Sequence, residues 1–178
     1  MKPTLIGYFP KKTLRELDWL EADHVEEICS ASECLSEGPP DWVEAWAHNA
    51  RWLFNSPEIG WRVAGDERQE HEMYAFAQYP IQVDEGAVIP DPVSICGVSR
   101  LPEGFELLGY DAVSRSGGNR FECSPLSCNH AARDFPCNSR CLFDTLDEAI
   151  EAAKEFSLSS GGWEPGPYHI VAVYREKR

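Results

Sequence analysis

Two stretches near the end of the chain decide the fold class: TLDEAIEAAKEF (residues 145–156) and YHIVAVY (residues 168–174). In the first, Thr145 and Glu148 have the spacing of a capping box, in which each side chain bonds the other residue's backbone N–H. The apolar residues recur on one helical face, namely Leu146, Ala149, Ile150, Ala153 and Phe156. In the second stretch, side chains alternate between two faces with the period of a strand. We therefore predict a helix followed by a strand.

Earlier runs of apolar residues predict three more strands, at 4–9, 72–83 and 105–114. A turn at 116–119 and a short return strand at 120–123 are expected next. This order indicates an α+β protein with a mainly antiparallel sheet and helices packed on one face. We predict one domain over residues 1–178, with a seam in the Gly- and Pro-containing loop at 84–92. No repeat with a period of 20–50 residues is apparent.

The remaining segments have weaker patterns. Apolar residues at helical spacing predict helices at 14–20, 23–35, 41–54 and 126–133, and a β-rich composition predicts a strand at 59–64.

The chain is strongly acidic. Its formal net charge is −14, and the first 100 residues hold 18 acidic against 8 basic side chains. Between Glu16 and Glu44 there are ten carboxylates and no Lys or Arg. Such a field repels phosphate backbones, so we expect no nucleic-acid ligand. The negative charge either keeps the protein soluble or attracts a basic protein by charge complementarity.

No window of the sequence approaches the 20 or so apolar residues of a membrane span, and no signal peptide is recognisable at the N-terminus. We therefore expect a cytoplasmic protein that does not bind membranes. Seven cysteines, an odd number, are then expected to be reduced thiols. Cys29, Cys34 and Cys96 are expected to be small buried apolar residues.

Four further cysteines fall within nineteen residues, and they are the strongest candidate for chemistry: Cys123, Cys128, Cys137 and Cys141. Four thiolates, or three with an imidazole such as that of His130, can complete a tetrahedral zinc shell. The spacing lacks the C-x2-C pairs typical of zinc ribbons, so ordinary packed thiols remain the alternative. Cys123 is the preferred candidate for a reactive thiol because it lies between Arg120 and the start of a predicted helix. Arg115 and Arg120 flank a Gly-Gly turn that can hold an anion.

No catalytic pattern accompanies these residues, so a binding role is favoured over an enzyme. We predict a small acidic protein-binding module, in general composition like the immunity and inhibitor proteins that neutralise toxins. Charges that steer the basic partner and aromatic anchors that contact it are expected at Glu26, Glu27, Glu33, Asp41, Trp42, Glu44 and Trp46. The alternative is a zinc-binding or cysteine-dependent enzyme centred on residues 115–141.

Overall fold

The computed structural model describes residues 1–35, 37–115, 119–158 and 162–177. The predicted turn at 116–119 lies largely outside these residues. The strands are β1 (Thr4–Lys11), β2 (Glu72–Asp84), β3 (Ala87–Pro90), β4 (Phe105–Ser114) and β5 (Tyr168–Glu176). The α-helices are α1 (Pro57–Ala64), α2 (Pro125–Cys128) and α3 (Leu146–Leu158), with 3₁₀ turns at Gly65–Glu70 and Ala131–Arg133.

The strands form one antiparallel sheet in the order β1-β2-β5-β4, and β3 also pairs with β2. α3 packs on a face that includes Ala112, Ile170 and Ala172, and α1 brings Gly60 against Met73 on the same face. The opposite face buries Phe76, Val171 and Val173 under irregular chain. The predicted α+β class, with helices packed on one face of an antiparallel sheet, is thus confirmed.

The predicted helices at 14–20, 23–35 and 41–54 are wrong, because this part of the chain forms turns and isolated bridges. Its backbone N–H groups bond distant carbonyls: Glu26 and Glu27 donate to Ser139, and Cys29 donates to Arg140. Tertiary pairing therefore satisfies groups that a helix would satisfy internally.

Three other segments also differ from prediction. Residues 59–64 are in α1 and not in a strand, because Ser56 caps a helix that begins at Pro57. The predicted loop at 84–92 contains β3, which forms a hairpin with β2. A seam between two halves of the domain at 84–92 stays a prediction. His130 adopts a left-handed conformation that splits the predicted helix at 126–133 into two short turns.

The molecule contains an internal repeat. We call β1, residues 49–56, α1 and β2 the first repeat, and β4, residues 138–145, α3 and β5 the second repeat. In the first repeat β1 has a bulge before Gly7, and Tyr8 exchanges two backbone hydrogen bonds of 2.8 and 2.9 Å with Phe54. In the second repeat β4 has a bulge before Gly109, and Tyr110 exchanges bonds of the same lengths with Phe143.

An asparagine fastens each repeat. The Asn49 side-chain amide donates to the carbonyl of Ile6 over 3.0 Å, and the Asn138 amide donates to the carbonyl of Leu108 over 3.0 Å. Ile6 and Leu108 are the bulge residues just before the two glycines. Both asparagine side chains also accept N–H bonds from residues two and four positions later.

The sequence carries the signal for this repeat. Residues 49–56 read NARWLFNS and residues 138–145 read NSRCLFDT, so both share the pattern Asn-x-Arg-x-Leu-Phe followed by Asn or Asp and Ser or Thr. The two copies lie farther apart than the 20–50 residues of common repeat arrays, so a search at those periods misses them.

Candidate functional site

Three cysteines converge around the short helix α2. The sulfur atoms of Cys34, Cys123 and Cys128 all lie within 4.8 Å of one another. We call these residues the thiol cluster. Cys128 ends α2, and Cys123 precedes Ser124, the residue at the start of that helix. Glu33, next to Cys34, donates its N–H to the carbonyl of Phe121 over 3.1 Å and so ties the first half of the chain to this segment.

The three thiols have different acidities. The hydrogen bond from Cys123, aided by Ser32 and by the backbone of Ser124, lowers the pKa of Cys128 to about 6. The same Cys128 contact, together with burial, raises the pKa of Cys123. Burial and the neighbouring Cys128 charge raise the pKa of Cys34. Cys128 is therefore the most acidic thiol of the cluster, and a thiolate is the form that binds metals or attacks electrophiles.

The structure brings Cys123 and Cys128 together but places Cys137 and Cys141 in a second pair. There, a ring nitrogen of His24 lies 3.3 Å from the Cys137 sulfur. A hydrogen bond from Cys141, aided by His24, lowers the pKa of Cys137 to about 6. In the described part of the chain the thiol cluster is the one group of three or more metal-ligating side chains at this spacing. His130 lies against Trp19 instead, with ring centroids 5.4 Å apart.

The three cysteines predicted to be buried, Cys29, Cys34 and Cys96, differ in their exposure. Cys29 is buried, and burial raises its pKa to about 11. Cys34 and Cys96 are exposed, so the packing prediction is wrong for both. Cys34 is the thiol-cluster member that sequence reasoning missed, because it lies 89 positions from Cys123 and no local spacing links them.

The two candidate anion-binding arginines lie in different surroundings. Arg115 is 4.0 Å from the carboxylate of Asp91. Arg120 forms an ion pair with Glu33, and its guanidinium lies over the rings of Trp52 and Trp42 at 4.7 and 5.3 Å. Arg120 therefore already has an anionic partner.

The acidic residues predicted to steer a partner also divide. Glu27 is only 13% exposed at its side chain and bonds Arg15 and Arg175 at 3.0 and 2.8 Å. Glu33 is paired with Arg120. Glu26, Asp41 and Glu44 are exposed. These three are the predicted carboxylates that face solvent.

The two candidate aromatic anchors differ in exposure. Trp42 is half-buried, with its ring edge-on to Phe9 at 4.9 Å. Trp46 is 82% exposed. Its nearest ring is that of His48, at 6.2 Å, and His48 stacks on Trp52 at 4.5 Å. Trp46 thus projects from a packed aromatic base.

We call Trp46, with the exposed carboxylates Asp41 and Glu44, the Trp46 surface. His48 and Trp52, which support it, were missed in the sequence because the region was interpreted as a helix with one apolar face.

Comparisons with models of known protein families, with curated proteins and with solved structures find no significant match. Among the described residues, no helix has both the length and the apolar character needed to cross a membrane.

Proposed function

We propose that the chain is a small acidic cytoplasmic module that binds a basic protein, with Trp46 as the anchor. The observation that carries this proposal is the 82% exposure of Trp46, the largest among the exposed apolar side chains. Tryptophan is enriched among the residues that dominate binding energy at protein interfaces. A solvated tryptophan contributes little to folding, so its position is better explained by a partner that covers it.

The aromatic residues next to Trp46 form a packed base. Trp42 packs on Phe9 and Trp52, and His48 stacks on Trp52, so the base is held by ring contacts. Pre-ordered side chains lose less entropy on binding than mobile ones. Burying a tryptophan removes about 150–250 Å² from water, which at about 25 cal/mol per Å² is worth several kcal/mol.

Charge selects the partner class. Asp41 and Glu44 are exposed and lie within five positions of Trp46 in the sequence, and the whole chain has a net charge of −14. Complementary charge raises the association rate and rejects acidic competitors. The partner we propose therefore has Lys and Arg around an apolar pocket. A toxin or enzyme neutralised by an immunity- or inhibitor-type protein fits this description.

The test compares three forms of the protein: wild type, Trp46→Ala and Trp19→Ala. Trp19 is a matched control because it is also exposed, at 37%, and its ring contacts His130. A protein captured from the host lysate is then purified and titrated by calorimetry. We expect Trp46→Ala to raise its Kd by about 30-fold or more and Trp19→Ala to leave the Kd unchanged.

Two further readouts complete the test. Reversing the charge with Asp41→Lys and Glu44→Lys is expected to slow association and to reduce its dependence on salt. Unfolding by urea should be unchanged in Trp46→Ala, because the side chain is solvated. A partner that binds wild type and Trp46→Ala equally well would show that the anchor is elsewhere.

The second candidate function is that of a zinc-binding or cysteine-dependent enzyme centred on residues 115–141. The convergence of Cys123 and Cys128 favours this second function. These two residues belong to the thiol cluster, which is separate from the Trp46 surface.

A further inference from the structure

We infer that Cys34, Cys123 and Cys128 form a binding site for a zinc ion, with Cys34 as the ligand that joins the two halves of the chain. The site differs from a Cys123, Cys128, Cys137 and Cys141 shell, because Cys137 and Cys141 form their own pair beside His24.

The separations fit a tetrahedral thiolate shell. Zinc–sulfur bonds of about 2.3 Å place two sulfurs of a tetrahedral site about 3.8 Å apart. The three sulfurs of the thiol cluster lie within 4.8 Å of one another. A contraction of about 1 Å at most would therefore close three corners of the tetrahedron, which rotation about the side-chain bonds can provide.

Neighbouring polar groups hold two of the ligands. The Ser32 hydroxyl oxygen lies 3.3 Å from the Cys128 sulfur, and the Asn129 side-chain oxygen lies 3.7 Å from the Cys123 sulfur. Once zinc has displaced the Cys123 proton, rotation of the Asn129 amide turns its NH₂ group toward the thiolate. The Cys123 backbone N–H donates to the Ser114 hydroxyl over 3.3 Å. Groups of this kind orient ligands and tune their affinity for the metal.

The ligand set selects the metal class. Three sulfurs exclude Mg²⁺ and Ca²⁺, which take oxygen ligands, and favour Zn²⁺ or Cu⁺. On binding Zn²⁺, each thiol gives its proton to solvent as its sulfur bonds the ion, and no electrons are transferred. Cys34 is exposed, so solvent reaches the fourth corner, and a water molecule there would complete the shell.

Zinc binding at this site does not depend on the Trp46 surface. None of the three cysteines belongs to that surface, so loss of metal affinity and loss of partner affinity are separable in single variants.

The experiment is a titration of the reduced, chelator-treated protein with Zn²⁺ in competition with a chromophoric chelator. Co²⁺ serves as an optical substitute, because sulfur-to-cobalt charge transfer reports thiolate ligands. We expect one ion per chain. Cys34→Ser is the decisive variant because its exposed side chain is the one least needed for folding, and it should weaken zinc binding about 100-fold or more.

Two controls carry the same change at cysteines outside the cluster. Cys96→Ser replaces another exposed thiol, and Cys137→Ser replaces the thiol beside His24. Both should bind zinc as tightly as wild type. Zinc should also raise the melting temperature of wild type and both controls but not that of Cys34→Ser.

Several results would overturn the inference. These are the absence of stoichiometric zinc binding, an affinity that Cys34→Ser leaves unchanged, and a loss of binding in Cys137→Ser equal to that in Cys34→Ser. Saturation by Cu⁺ under anaerobic conditions without zinc binding would overturn the choice of ion.

Discussion

The two repeats share a frame and differ in what is inserted into it. In each, a bulged strand, a Leu-Phe segment, a helix and a second strand meet through the same backbone bonds. Between the strand and the asparagine, the first repeat has residues 12–48 and the second has residues 115–137. We call these the first and second inserts.

Both candidate sites lie in the inserts. The Trp46 surface belongs to the first insert, and the thiol cluster takes Cys34 from the first insert and Cys123 and Cys128 from the second. The shared frame thus supplies the sheet and its backbone bonds, and both proposed sites fall where the repeats differ. Loops on a rigid scaffold commonly have this division of labour.

The largest effect is expected when the shared frame is overfilled. A Cβ added at Gly109 would lie 2.7 Å from the carbonyl oxygen of Phe143, and one at Gly7 would lie 2.5 Å from the Leu53 Cβ. Both glycines also have φ near +150°. We expect Gly7→Ala and Gly109→Ala each to lower the free energy of unfolding by about 4 kcal/mol, measured by urea denaturation.

Gly65→Ala is the control for backbone strain alone, since Gly65 has φ of +54° and no atom within 4 Å of an added Cβ. Because its φ of +54° and ψ of −127° fall in a region that residues with a side chain rarely adopt, Gly65→Ala should lose about 2 kcal/mol. If Gly7→Ala matched Gly65→Ala while Gly109→Ala did not, the two bulges would not be equivalent.

A smaller loss is expected at the asparagines. Asn49→Ala and Asn138→Ala each remove two amide donations and two accepted N–H bonds. We expect each to lower the free energy of unfolding by about 3 kcal/mol. If one variant lost almost no free energy of unfolding while the other lost about 3 kcal/mol, the two asparagines would not be equivalent.

Replacing each asparagine with aspartate is expected to affect the two repeats differently. Asn49 donates to the Asn55 side chain over 2.9 Å, whereas Asn138 donates to the carboxylate of Asp144 over 3.1 Å. Asn55 can turn its amide to donate to a new carboxylate, but Asp144 cannot. Asn138→Asp should therefore be more destabilising than Asn49→Asp, and the difference should shrink at low pH as the introduced carboxylate is neutralised.

A pH-dependent difference comes from one register position. In the first repeat Glu72 pairs with Lys11, which lies four residues after the bulge glycine. In the second repeat His169 pairs with Val113, which lies four residues after its bulge glycine. Burial opposes ionisation of Glu72, but hydrogen bonds from Thr13 and Arg15 outweigh it and lower its pKa.

His169 is fully buried, with a ring nitrogen 3.1 Å from the carboxylate of Asp91. Burial, aided by the charge of Arg51, outweighs the attraction of the Asp91 carboxylate and lowers the pKa of His169 from 6.5 to about 4. Between those values the unfolded chain binds more protons than the native one, so stability falls as pH drops from 6.5 to 4.

We expect the His169 contribution to cost about 2 kcal/mol between pH 7 and pH 4.5. In His169→Gln this loss should be absent, as measured by urea unfolding at several pH values. Glu72→Gln is the matched variant: the stability that Glu72 contributes is lost only as pH falls below its unfolded value near 4.5. The same pH slope in His169→Gln as in wild type would refute the assignment.

The frame was largely predictable from sequence because its patterns are local. Alternation identifies β5, and the capping box marks the start of α3. The first insert was not predictable, because its amphipathic spacing resembles a helix while its N–H groups at Glu26 and Glu27 bond Ser139. Nothing within a short window reports such a partner.

The candidate site was half predictable for the same reason. Cys123 and Cys128 are near in sequence and near in space, whereas Cys34 joins them only through the fold. The Asn-x-Arg-x-Leu-Phe pattern was visible in the sequence, and aligning its two copies would have identified the frame and both inserts.

The smallest effect is expected at the helix starts, where the capping bonds of the two repeats differ. In the first repeat the Ser56 side chain also bonds that of Glu58. The Ser56 hydroxyl accepts the Ile59 N–H over 3.4 Å. The Thr145 hydroxyl accepts the Glu148 N–H over 3.2 Å, and the Glu148 carboxylate accepts the Thr145 N–H over 2.9 Å. Since Ile59 occupies the place of Glu148, the first repeat has no return bond. We expect Thr145→Ala to cost about 1 kcal/mol and Ser56→Ala about 0.5 kcal/mol.

A double-mutant cycle measures the coupling between the two bonds of the capping box. Thr145→Ala keeps the backbone N–H that Glu148 accepts, so coupling between Thr145→Ala and Glu148→Ala measures how far each half of the capping box depends on the other. We expect a favourable coupling of a few tenths of a kcal/mol, and no coupling between Ser56→Ala and Ile59→Ala beyond their packing. Zero coupling would mean that the two bonds of the capping box are independent in energy, so that the cost of Glu148→Ala alone reports the return bond.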